Sequence, residues 1–209
     1  MLLKCKKRTP SFRYSLFFVL FFPACSLGPK YLVQNFQAPN KVAVLPFSNE
    51  TNDVGAPETV RKLLIEMLPG SGYHPSEEKK VDETLVKKFG ITEGGQLNSA
   101  TAQNLGQTLG VDGLFYGNVI NFVDFPFDFG RKRTVKANVK LVDAKTGNLL
   151  WEDEKSWTTP EIHLNAEEAK RAAIRQVAER QFEKMAGTFL ERESRMVISL
   201  MLRNLPRGQ

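Results

Sequence analysis

Apolar positions in this chain fall into blocks whose period changes from one segment to the next. The run Lys41-Val42-Ala43-Val44-Leu45-Pro46-Phe47 is continuous rather than alternating and is bounded by turn formers. It predicts a short strand covered on both faces. The polar loop 48–53 follows. Pro57 and Glu58 then suit the first turn of a helix, in which Val60, Leu63, Leu64, Met67 and Leu68 form one apolar stripe. Gly70 and Gly72 end it. A second helix is predicted near 79–89, with Val81, Leu85 and Phe89 on one face and Gly90 as its stop. A third starts at the N-cap residue Ser99, turns Ala102, Leu105 and Leu109 inward and stops at Gly110.

The period then shortens. Residues 111–120 read as another buried strand. Val135, Ala137, Val139 and Leu141 alternate with Lys136, Asn138 and Lys140, so one face of that strand is core and the other is wet. Residues 143–148 supply a turn, and 149–157 return as the second arm of a hairpin. A long helix is expected over about 165–192, with Ile174, Ala178, Phe182, Met185 and Phe189 as the stripe that lies across the sheet. The succession of strand, helices, strand and hairpin predicts an α/β sandwich: a mixed β-sheet with an antiparallel C-terminal hairpin, covered by helices.

The amino terminus reads differently. A basic stretch containing Lys4, Lys6, Lys7, Arg8 and Arg13 precedes an apolar run of about ten residues, Leu16 to Cys25. That run is about half of the ~20 residues a membrane-spanning helix needs, and the pattern is that of an export signal. It ends at Ala24-Cys25-Ser26, which resembles a bacterial lipobox, with Cys25 as the acylated residue. Phe22 and Pro23 depart from the usual lipobox residues, and cleavage after Ser26 with simple secretion is the alternative. The organisation expected is a signal peptide over 1–24, a lipidated tether over 25–40, an α/β periplasmic domain over 41–192 and a C-terminal tail over 193–209. Ser26, in place of an acidic residue after the lipidated cysteine, leans towards the outer membrane, with the domain facing the periplasm. Met196 to Leu202 are too apolar for a solvated tail; they either pack back on the domain or contact a partner.

Charge narrows the partners. The formal net charge is +6, but the five leader cations account for most of it. The remaining 24 basic residues face 23 acidic ones, so the mature domain lacks the basic excess that tracking phosphates requires. No nucleic-acid partner is expected. The two cysteines are Cys5 and Cys25; with the first removed and the second acylated, stability must come from an ordinary core.

Chemistry-bearing patterns are sparse. The start of the domain has no glycine-rich phosphate loop. His74 and His163 are not at metal-ligand spacing, and no serine occupies a G-x-S-x-G elbow. Neither a catalytic residue, nor a cofactor, nor a metal site is assigned. The segment Val123-Asp124-Phe125-Pro126-Phe127-Asp128-Phe129 stands apart, because Phe125, Phe127 and Phe129 occupy alternate positions before a basic turn. They are either packed against the sheet or exposed as a partner-binding or membrane-dipping edge. The segment is too short for a barrel strand, which needs roughly 9–11 residues.

The strings KVAVLPFSNET, DVGAPETVRK, LGVDGLFYGNVI and LVDAKTGNLLWEDE resemble those of a group of small bacterial lipoproteins of unknown function. They are also similar to the periplasmic domain of the curli-secretion (CsgG-like) lipoprotein and, more distantly, to lipoprotein activators of peptidoglycan synthases. The resemblance spans about 41–191. It implies a non-enzymatic interaction or assembly module in a secretion or envelope-biogenesis complex, whose partners are the membrane, through the lipid, and other envelope proteins or further copies of itself. A periplasmic ligand-binding or cell-wall-binding protein, or a hydrolase, is the alternative. An acylated Cys25 predicts that the chain stays with membranes until detergent is added; recovery in the soluble fraction without detergent would contradict it.

Overall fold

The computed structural model describes residues 28–208. They form a six-stranded mixed sheet with helices on both faces. The strands are β1 (Tyr31–Leu32), β2 (Val42–Val44), β3 (Ser48–Asn49), β4 (Gly113–Phe127), β5 (Gly130–Asp143) and β6 (Leu149–Ile162). Their order is β1-β6-β5-β4-β2, with β3 also on β4. β4, β5 and β6 are an antiparallel meander, whereas β2 and β3 run parallel to β4. The sandwich expected from the sequence is the observed architecture.

β2 is continuous in apolar residues because both its faces are covered. Val42 and Val44 enter one core cluster, and Ala43 and Leu45 enter the other. The first cluster lies under α1 (Ala56–Met67) and α5 (Glu191–Leu202), and the second under α2 (Glu78–Phe89) and α3 (Ala102–Leu109). Gly117 of β4 admits the Phe47 ring flat against the sheet; a Cβ there would overlap that ring. Buried Arg61 ties α1 to both neighbours, with Nη2 donating to the Val44 carbonyl at 2.9 Å and its guanidinium forking onto Asp82 at 2.7 and 2.9 Å. Such a planar two-point contact fixes orientation as well as position.

Several segments differ from expectation; α3, for one, is capped by Thr101 rather than Ser99. The long C-terminal helix is two helices. α4 (Ala166–Met185) ends before Gly187 (φ 68°), and Leu190 (φ 54°) turns the chain into α5. Leu190 holds a left-handed conformation that leucine disfavours, and its complete burial offsets that cost. Of the expected stripe only Phe189 is buried; Ile174, Phe182 and Met185 face outward.

Of the two outcomes expected for Met196 to Leu202, packing back on the domain is the one observed: they belong to α5, which takes in most of the expected tail's apolar residues, and Val197, Ile198 and Met201 are completely buried. The chain after α5 is pinned as well. Asn204 accepts from Trp151 Nε1 at 3.1 Å and donates to buried Asp153 at 2.8 Å, and Pro206 accepts from the Tyr73 hydroxyl at 2.8 Å. The span expected as a tether is partly structured too. β1 pairs with β6, Val33 donates to the Leu150 carbonyl at 2.9 Å, and Phe36 packs on the core.

These contacts predict opposite outcomes for two isoleucines. Ile198→Ala removes a core side chain and costs about 2–5 kcal/mol of stability. Ile174→Ala, on the outer face of α4, changes it by less than about 0.5 kcal/mol. Chemical denaturation of both variants checks the pair.

Candidate interaction surface

The meander outgrows its core. Beyond Phe122, Val135 and Trp157 the strands continue for five residues each, roughly 17 Å, as 123–127, 130–134 and 158–162. Among the described residues no strand pairs with the outer edge of β4 here, since β3 reaches only Val119. Pro126 is tolerated in a strand for that reason, because its missing donor costs no ladder bond at an edge. Side chains alternate between faces, and the register assigns them. Asp124, Arg131, Arg133, Thr159 and Glu161 share the face that continues the α5 core. Val123, Phe125, Phe127, Lys132, Thr134, Thr158, Pro160 and Ile162 share the other.

The first face is covered by α4 through charges. Arg131 is nearly buried, and its guanidinium donates to Glu161 and to Glu179 at 2.8 Å each, with Asp124 at 4.0 Å. Arg133 forks onto Glu183 at 2.8 and 3.0 Å and lies 3.5 Å from buried Glu193. Arg175 reaches back to Glu161 at 3.3 Å. Burial alone would push the Glu161 carboxyl up. The charge and hydrogen bond of Arg131, helped by His163 and Arg175, outweigh that and hold it below its ordinary value. Ala172 and Gln176 are the residues α4 buries. Its N-terminus is capped by Asn165, whose side chain accepts from the Glu168 amide at 2.7 Å.

The apolar side of α4 therefore points to solvent. Ile174, Val177, Phe182 and Met185 are 65–87% exposed. On the opposite side of the same two-layer arm, Phe125, Phe127 and Phe129 are 43–60% exposed, with Val123 and Ile162 beside them. The three phenylalanines singled out in the sequence thus sit at the hairpin tip, Phe125 and Phe127 on one sheet face and Phe129 in the turn. The α4 stripe is the part of the surface that sequence reading assigned to the core. The regular spacing of Gln176, Glu179 and Glu183 on the other side of the helix was the signal for its true orientation.

Below the tip, the same sheet face forms a polar hollow of about 510 Å³ between the strands and the loop at Gly94 and Gly95. Several polar groups in and beside it are paired: Asn118 with Glu50 at 2.6 Å, Asn138 with Glu152 at 2.9 Å, Lys136 with Glu154 at 2.7 Å and Lys30 with Glu152 at 3.1 Å, while Lys140 and Tyr116 also line it. Among the described residues, no group of three or more His, Cys, Asp or Glu could hold a metal ion. His163 lies 3.3 Å from Glu161 at the base of α4, and His74 is in an exposed loop. No described helix is long and apolar enough to cross a membrane. The expected signal peptide, and Cys25 with it, lie outside the described residues.

Comparison with known proteins places this arrangement. The family described as "Putative lipoprotein GNA1162-like" matches residues 31–200. The crystal structure of lipoprotein GNA1162 from Neisseria meningitidis is 25% identical, with a TM-score of 0.55 over 68% of this chain and 99% of that one. The PelC dodecamer from Paraburkholderia phytofirmans shares the fold at 13% identity, with a TM-score of 0.50 over 84% of this chain and 96% of that one. No curated protein matches the sequence. The likeness to the curli-secretion lipoprotein rests on the sequence strings alone.

The ion-pair layer gives a prediction. Arg131→Leu leaves Asp124, Glu161 and Glu179 without their shared cation and costs about 3 kcal/mol, with α4 the first element to lose hydrogen-exchange protection. Acid acts in the same sense. Because the folded value of Glu161 is depressed, its contribution is full above the ordinary carboxylate value of 4.5 and is lost as pH falls through the lower folded value. Proteolysis within α4 should therefore accelerate in that acid window.

Proposed function

We propose that this chain, which belongs to the GNA1162-like lipoprotein family, is a lipid-anchored, non-enzymatic interaction and assembly module of the cell envelope. The observation that carries this reading is the arm. It is an extension of a well-packed sheet that presents large apolar side chains on both of its outer surfaces. Isolated exposed apolar residues are ordinary, but contiguous patches of this kind mark surfaces that other molecules cover.

Acylation of Cys25 supplies the anchor, and the outer membrane, with the domain in the periplasm, is the location we assign. Lys30 follows Cys25 by only five positions, at most about 18 Å of extended chain. Since β1 begins at Tyr31, the domain is held close to the lipid surface rather than on a long flexible leash. The partners in this reading are the membrane, through the lipid, and envelope proteins, among them further copies of this chain. The dodecameric state of PelC supports self-assembly as a use of this fold.

Extraction of the full chain from membranes in mild detergent, followed by light scattering, tests the reading. A discrete mass of several protomers is expected. A monomer at micromolar concentration would refute self-assembly.

A further inference from the structure

The arm has two apolar surfaces, and they face opposite ways. On one side are Val123, Phe125, Phe127 and Ile162 of the sheet; on the other are Ile174, Val177, Phe182 and Met185 of α4. Between them lies the charged layer of Arg131, Arg133, Glu161, Glu179 and Glu183. The two patches cannot meet within one chain.

We infer that the sheet patch of one copy docks against the α4 stripe of the next, so that the arm is a head-to-tail interface between copies of this protein. The inference rests on the self-assembling module proposed above and names its contact. Three features select a second copy as the occupant. First, one flat lipid surface or one small partner would cover a single side of the arm and leave the other open. A neighbouring copy covers the sheet patch, and the next neighbour covers the helix stripe by the same contact. Second, the three phenylalanines and five aliphatic side chains of the two patches, if fully covered from their observed exposure, supply on the order of 1,000 Å², about the lower bound for a specific protein contact.

The third feature is the position of the leash. β1, where it ends, pairs with β6 at Trp151 and Glu152, whereas Ile162 at the tip is ten residues further along that strand, about 33 Å. Anchor and arm therefore occupy opposite ends of the sheet. A heterologous contact of this kind repeats, and it closes into a ring when the rotation between copies divides a full turn.

Two variants of the full chain in mild detergent test the contact. Phe125→Asp with Phe127→Asp breaks the sheet patch, and Ile174→Asp with Phe182→Asp breaks the helix stripe. All four positions are exposed, so the far-ultraviolet circular dichroism and the thermal midpoint should stay at native values. Each variant alone is expected to fall to a monomer. Their equimolar mixture is expected to give a one-to-one dimer and nothing larger, because one intact stripe meets one intact patch and the remaining surfaces are both broken.

Should the aspartates unfold the arm, serine at the same positions is expected to show the same complementation, with dissociation constants raised at least tenfold. Native mass in either variant, or a mixture that remains monomeric, overturns the inference. Native mass combined with lost binding to phospholipid vesicles would assign the patches to a lipid surface instead. A monomeric native chain removes the self-assembly reading and this contact together, whereas a native oligomer that survives both variants removes the contact alone.

Discussion

The arm is organised by the guanidinium of Arg131. It stands near the tip of the hairpin, beyond the apolar core, and three carboxylates converge on it. A charge removed from water is costly unless it is paired and hydrogen-bonded. The surrounding acids come from β4, from β6 and from α4, so meeting that requirement brings all three elements to one place. The consequence for α4 is decisive. A helix that docks through glutamates turns its glutamate face to the sheet, and its apolar residues are left on the outside. With leucines in place of Glu179 and Glu183 the same helix would be expected to dock through an apolar face, and the arm would lose its charged middle layer.

The rest of the fold was legible to the extent that residue patterns report local structure. The buried run at Val42–Val44, the stripe of α1, the alternation in β5 and the Asp143–Asn148 turn were all visible, because in each the period of apolar residues matches the element that buries them. The Asp143 side chain, which accepts from the Lys145 and Thr146 amides at 2.9 and 2.7 Å, shows why that turn is so clearly written.

What periodicity does not report is the destination of an apolar face. Ile174, Phe182 and Met185 have the spacing of core residues, and the same spacing serves an interface between molecules. The kink at Leu190 was hidden because a left-handed leucine is paid for by tertiary burial, not by local preference. The tail was recognised as too apolar for solvent, but its docking depends on Trp151, Asp153 and Tyr73, residues roughly 50 to 130 positions away along the chain. Phe125, Phe127 and Phe129 were identified because three aromatics before a basic turn have no simple role in a solvated hairpin. Their common exposure followed from the length of β4, which carries them past the helices that cover its first half.

The central claim is that the two outer faces of the arm meet between copies. It is tested most directly by disulfide formation in the full chain carrying Phe125→Cys and Ile174→Cys, with each single variant beside it. The head-to-tail contact predicts a ladder of covalent oligomers from the double variant under mild oxidation and no dimer bridged through position 125 or position 174 in the singles, since each sits against an unlike surface. Dimers from either single variant would show a symmetric contact, and the absence of a ladder from an assembled double variant would show that the arm faces something other than its own kind.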